Sequence, residues 1–257
     1  MLFKRKRKES TGRIVVAGDN VPVGRCGYDR LRDNVLFMNA DGTTKAIQIE
    51  SAVSDEGKTT TACNLAVSLG QSGKKTVVVE LDFHHPKAHR VLKVAGGTGI
   101  AEYILGTADK SDIIKHTEYP YVDIVTRGAA VDNPPLVYMS EKFKSFMTEL
   151  KDTYDYVILD CAPILQSSDY IHISEVSDGV LFLAAHSRTT RSQVEDAVKE
   201  LGKNGIKILG SVFTMYNPKK NPEYRSMYGY YDYQPEQEEP EDGLNNIKNE
   251  MSEDKLS

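Results

Sequence analysis

Gly57-Lys58-Thr59 closes the stretch SAVSDEGKTTT (51–61), and these residue types suit one chemistry, the holding of a phosphate chain. A lysine ammonium can reach β- and γ-phosphates, a threonine hydroxyl can ligate Mg²⁺, and a glycine lets the backbone come close. Two further acidic sets could share that chemistry. Asp160 ends the run Tyr156-Val157-Ile158-Leu159, and Glu80 with Asp82 ends Thr76-Val77-Val78-Val79. Residues two apart on a strand point the same way, so Glu80 and Asp82 are expected to aim into one crevice at the carboxyl ends of the strands. On this reading Ser54, Asp55, Glu56, Gly57, Lys58, Thr59 and Thr60 surround a nucleotide, and Thr59 and Asp160 hold a metal. ATP and Mg²⁺ are the expected cofactors.

Such a tripeptide has meaning only in a particular setting: a strand before it, a helix after it, and a separate buried strand ending in an acid. The pattern supplies all three. KAIQIES (45–51) reads as a strand and Lys58 to Leu69 as a helix, whose free N–H groups and positive end face the loop. KTVVVELD (75–82) is apolar on both faces, as a buried parallel strand should be. Tyr121 to Thr126, YDYVILD (154–160), DGVLFLAA (178–185) and IKILGSVF (206–213) are further strands. Tyr28 to Met38, Leu136 to Lys151 and RSQVEDAVKELGKNG (191–205) are helical, the last with an Asn-Gly stop. Strands alternating with helices predict an α/β fold of the P-loop NTPase kind, a mostly parallel sheet with helices on both faces. The expected domains are a basic arm (1–28), a P-loop domain (29–217) and a disordered tail (218–257) rich in tyrosine and then in acid.

Charge narrows the partners. Lys4-Arg5-Lys6-Arg7-Lys8 carries +5 and the stretch from Gln234 onward −6, so the body between them is mildly acidic within a total of −5. That excludes a basic nucleic-acid-binding body. The Lys4–Lys8 cluster, following Met1-Leu2-Phe3, could touch an anionic membrane surface peripherally. The apolar runs are far shorter than the roughly 20 residues a membrane span needs. Cys26, Cys63 and Cys161 have neither metal-ligand spacing nor an even count for disulfides, which fits a reduced cytoplasmic setting.

Taken in order, these residues resemble the bacterial tyrosine kinases of capsule and exopolysaccharide synthesis. Leu31-Arg32-Asp33-Asn34 is similar to that family's LRTN, and Glu56-Gly57-Lys58-Thr59 with Asn64-Leu65-Ala66 to its Walker A segment. Glu80 to Pro86 resembles the Walker A′ sequence DADLRRP, and Tyr154 to Pro163 the Walker B sequence YDYVIIDTPP. Tyr224, Tyr228, Tyr230, Tyr231 and Tyr233 form the tail cluster. The resemblance runs from about Tyr28 to Tyr233. It implies a protein-tyrosine autokinase, with Lys58, Glu80, Asp82 and Asp160 catalytic, Asp82 joining Thr59 and Asp160 on the metal, and the tail tyrosines phosphorylated in trans by a neighbouring copy. It also implies a homo-oligomer, a transmembrane polysaccharide co-polymerase as activating partner, and a cytoplasmic location at the inner face of the cell membrane.

The departures fall in the site. Pro-Gly before EGK is Ser54-Asp55 here, the first Walker A′ aspartate is Glu80, and two arginines are His84 and His85. An Asp55 carboxylate facing the phosphates would oppose them by up to about 4 kcal/mol at 4 Å and an effective dielectric near 20. The ring-forming EX2RX2R motif reads Cys26, Asp29, Arg32, and the asparagine usual after the last strand is Thr214. Two alternatives follow: a weak or inactive pseudokinase that regulates the membrane co-polymerase, and a partitioning or division-site ATPase. The signature lysine of the latter class would stand at Val53.

Overall fold

In the computed structural model the β-branched runs form one sheet, and the amphipathic segments cover it. The structure describes residues 12–17 and 22–216. The chain divides at Asn217 into two units, and every described residue falls in the first. The Lys4–Lys8 cluster and the tail tyrosines lie outside the described residues.

The strands are β1 (Ala46–Ser51), β2 (Thr76–Glu80), β3 (Ile114–His116), β4 (Val122–Val125), β5 (Tyr156–Asp160), β6 (Gly179–Ala185) and β7 (Ile208–Thr214). The helices are α1 (Pro22–Met38), α2 (Lys58–Gln71), α3 (Ala88–Val91), α4 (Ile100–Leu105), α5 (Lys110–Ile113), α6 (Pro134–Tyr138), α7 (Glu141–Thr153), α8 (Asp169–Ser174) and α9 (Arg191–Lys203). The sheet order is β3-β4-β2-β5-β1-β6-β7. Every pairing is parallel except that of the short edge strand β3 with β4. The fold is therefore the α/β, P-loop NTPase-like one that the strand–helix alternation predicts.

Period two sorts each central strand between two apolar layers. Val77, Val79, Val157 and Leu159 pack with Tyr138, Phe143 and Phe146 from α6 and α7. Ile47, Ile49, Val78 and Ile158 pack with Leu65, Ala66 and Leu69 from α2 on the other face. All residues of β1, β2 and β5 are buried, the signature of strands covered on both sides.

Three boundaries differ from expectation. The helix placed over Leu136–Lys151 is two, because Ser140 leaves helical geometry and its hydroxyl accepts from the Phe143 N–H as an N-cap for α7. The edge strand β3 is too short to show an alternation. The arm is not separate up to residue 28. Helix α1 starts at Pro22, the Val16 side chain is fully buried, and Asn64 Oδ1 accepts from the Val15 N–H at 2.7 Å. Residues 12–17 therefore lie along α2 as part of the domain.

Candidate functional site

The loops after β1, β2 and β5 leave the sheet at its carboxyl edge beside one another, because β5 lies between β1 and β2. There they wall a cleft of about 450 Å³ whose lining includes Ser54, Asp55, Gly57, Lys58, Thr59, Thr60 and Asp82.

The phosphate loop has the local chemistry that its sequence calls for. Gly57 sits at φ 96°, a left-handed conformation open to glycine at little cost. From it α2 starts abruptly, and the first intrahelical bond is the Thr61 N–H to the Gly57 carbonyl at 2.8 Å. The N–H groups of Lys58, Thr59 and Thr60 precede that bond and form the open helix end. Lys58 is 6% exposed, and its Nζ donates to Ser51 Oγ at 3.1 Å.

The Glu56 side chain holds the loop together. Its buried carboxylate accepts from the Val53 N–H at 2.8 Å and from the Thr189 hydroxyl, while its carbonyl accepts from Thr214 Oγ1 at 2.7 Å. Thr214, in the position of the family's asparagine, thus ties β7 to the loop.

Asp55 does not turn into the cradle. It takes φ 58° and is 54% exposed, with Oδ1 3.4 Å from Lys87 Nζ and Oδ2 3.1 Å from an Arg188 nitrogen. Partial burial pushes its carboxyl up, but Lys87, Arg188 and Lys58 together outweigh that and hold it below the usual range.

The Walker A′ pair separates. Strand pairing ends at Glu80, so the period-two rule does not carry on to Asp82. The Glu80 carboxylate is 1% exposed; it meets His89 Nδ1 at 2.9 Å and accepts from the N–H groups of His89 and Arg127. It is not among the groups that line the cleft. Asp82 is, and its Oδ1 accepts from the N–H groups of His84 and His85 at 3.1 and 2.8 Å. His85 joins Asp82 in the lining, while His84 Nε2 lies 3.9 Å from the Asp169 carboxylate. Tyr138 braces this turn, its buried hydroxyl donating to the Leu81 carbonyl at 2.7 Å. Tyr138→Phe is expected to lower stability by about 1–2 kcal/mol, seen as an earlier urea midpoint at unchanged slope.

Asp160 is fully buried, and neither carboxylate oxygen has a well-formed hydrogen bond. Burial pushes its carboxyl up to about 7; the Thr59 hydroxyl and Lys58 oppose that, and Asp82 and Glu80 add to it. An orphaned carboxylate beside a threonine hydroxyl and a lysine suits a divalent cation shared with phosphate oxygens. Among the described residues no cluster of three or more His, Cys, Asp or Glu could hold a metal by itself. Mg²⁺ binds through one or two side chains plus substrate phosphates and water, and Asp160 with Thr59 offers side chains of that kind.

Two features of the site escape a reading of motifs. Lys87 and Arg188 reach the cleft mouth from the loops after β2 and β6, and no local signal marks them. Glu50 lies fully buried on β1, with Gln48 Nε2 donating to its Oε1 at 3.1 Å and its Oε2 without a partner. Burial pushes Glu50 up to about 8, against the pull of Lys58, Cys161 and Gln48. The signal was present in AIQIES, where Gln48 and Glu50 alternate with isoleucines in a strand buried on both faces.

A family model described as an AAA domain matches residues 44–190. The tyrosine-protein kinase YwqD of Bacillus subtilis is 31% identical over 204 residues, covering 79% of this chain and 84% of the relative. Among solved structures, the kinase domain of the Escherichia coli tyrosine kinase ETK superposes with a TM-score of 0.73 at 25% identity, covering 82% of each chain. The septum site-determining protein MinD of Pyrococcus horikoshii OT3, solved with Mg-ADP, gives 0.57 at 26% identity over 66% of this chain and 70% of that one.

Proposed function

The chain belongs to the bacterial tyrosine kinases, and on that premise we propose that it is an ATP-dependent protein-tyrosine autokinase regulating capsular or exopolysaccharide synthesis. The observation that carries this reading is the buried, hydrogen-bond-poor Asp160 beside Lys58 and Thr59 at an open helix end. Lys58 would orient the terminal phosphates, and Thr59 with Asp160 would hold Mg²⁺. Bound there, the metal would neutralise charge on the phosphate oxygens. Asp82, on the cleft wall, would accept the proton of an acceptor tyrosine whose hydroxyl has an ordinary pKa near 10. The tyrosine oxygen then bonds to the γ-phosphorus as its bond to the bridging oxygen breaks, and ADP leaves. Tyr224, Tyr228, Tyr230, Tyr231 and Tyr233 are the proposed acceptors, presented by a second copy.

The proposed activating partner is a transmembrane polysaccharide co-polymerase. Among the described residues no helix is long and apolar enough to cross a membrane, so contact with the inner face of the cell membrane would come through that partner and the Lys4–Lys8 cluster. Arg32, the surviving ring-motif position, is engaged within its own chain by Asp29 at 3.0 Å and Asp33 at 2.9 Å.

A second reading is a pseudokinase that regulates the same partner. It is favoured by Glu80, whose carboxylate is committed to His89 and to backbone N–H groups. Misplacing a catalytic group by about 1 Å can cost a hundredfold in rate. The experiment is to incubate the full chain with ATP and Mg²⁺, with and without the cytoplasmic segments of a co-polymerase, and follow ADP and phosphotyrosine together. Equal ADP and phosphotyrosine is the expected result. Nucleotide binding with neither product would replace the kinase by the pseudokinase, and ADP without phosphotyrosine would point to an ATPase.

A further inference from the structure

Asp55 spans the mouth of the cleft. Its left-handed backbone, which aspartate tolerates better than most residues, aims the side chain outward. There one carboxylate oxygen meets Lys87 at 3.4 Å and the other meets Arg188 at 3.1 Å. A single side chain from the loop after β1 thus ties together the loops after β2 and β6. All three residues line the cleft that also holds Lys58 and Thr59. Lys58 itself is engaged deep inside with Ser51, so among the described residues Lys87 and Arg188 are the lysine and arginine at the mouth. Both are partly exposed, at 33% and 38%, and so are screened pairs that a stronger anion can break.

We propose that Lys87 and Arg188 are a second cationic contact for the polyphosphate chain of the nucleotide, and that Asp55 is its built-in competitor. The nucleotide then enters by displacing an internal carboxylate. A polyphosphate carries several charges and many acceptor oxygens, and it pairs with the arginine fork and the lysine better than one carboxylate does. Asp55 leaves the mouth with one net positive charge in place of two, which weakens nucleotide capture and holds the three loops together until it is displaced. This rests on the nucleotide-site reading above.

The test is calorimetric titration of the full chain with ATP and Mg²⁺. Asp55→Asn keeps the shape and the left-handed backbone, and Asp55→Gly removes the side chain while suiting that backbone better. Both are expected to tighten ATP binding about five- to tenfold, the worth of two partly exposed ion pairs lost from the free protein. In a Lys87→Gln, Arg188→Gln background, ATP binding should be weaker, and Asp55→Asn should change it by less than about twofold. Unchanged or weaker binding by both Asp55 variants would overturn the competitor while leaving the nucleotide site standing. A gain that persists undiminished in the double background would overturn it too, as plain repulsion without the contact. Binding by neither the parent chain nor either Asp55 variant would remove the nucleotide reading itself.

Discussion

Lys58→Met is expected to lower the rate of tyrosine phosphorylation by about 10²–10³-fold while the protein stays folded. The magnitude is that of removing one preorganised charged donor from a water-poor site. Lys58 suits this role because it is buried at the start of α2 with Nζ 3.1 Å from Ser51 Oγ, so its position is set before any ligand arrives. Methionine fills nearly the same volume, and the packing around α2 therefore survives. The lost charge is absorbed locally. Lys58 pulls down both Glu50 and Asp160, and without it each holds its proton to higher pH. The measurement is the initial rate of phosphotyrosine formation beside an unfolding curve of the same variant. A rate within about threefold of the parent would remove Lys58 from the chemistry.

The second large effect is on stability, and its direction is unusual for carboxylates. Glu50 is raised from an ordinary 4.5 to about 8, and Asp160 from 3.8 to about 7. Between the low and the high value of each group, the unfolded chain has released the proton that the folded chain still holds. Folding then takes up a proton, so stability falls as pH rises from about 4 to about 8 and levels off above that. At about 1.4 kcal/mol for each pH unit, either group alone is worth on the order of 4–5 kcal/mol. The pair together falls short of twice that, because the Asp160 charge is one of the causes that raise Glu50 and one repulsion counts once for the pair. Asp169 is raised as well, chiefly by burial, so the comparison must be between variants. Glu50→Gln and Asp160→Asn should each flatten the fall in unfolding free energy between pH 5 and pH 8. Mg²⁺ with nucleotide should restore stability at pH 8 in the parent and not in Asp160→Asn. Parallel pH profiles for the parent and both variants would show that these carboxylates do not titrate across that window.

Much of this site was legible from the chain, for reasons that can be stated. Gly57-Lys58-Thr59 between an apolar strand and a helix, and an acid closing YVILD, are local patterns, and local patterns fix the ends of parallel strands. The direction of Asp55 was not legible. It depends on a left-handed backbone angle and on Lys87 and Arg188, which lie 32 and 133 residues away in sequence. Glu80 misled for a different reason: the two-residue period holds only while the strand is paired, and pairing stops at Glu80 itself. His89, nine residues on, then captures its carboxylate. Residues 12–17 read as part of an irregular arm, yet Asn64, in the middle of α2, accepts the backbone N–H groups of Val15 and Val16.

On the reading proposed here, the cleft lined by Lys58, Thr59 and Asp82, with the buried Asp160 beside Thr59, moves a phosphoryl group onto tyrosine. The most direct measurement is phosphosite mapping by tandem mass spectrometry of the full chain after incubation with ATP and Mg²⁺, alongside Asp160→Asn under the same conditions. Phosphate is expected on tyrosines between Tyr224 and Tyr233 in the parent, and its loss in the variant. Phosphotyrosine at equal occupancy in both, or none in the parent even with its membrane partner present, would contradict it.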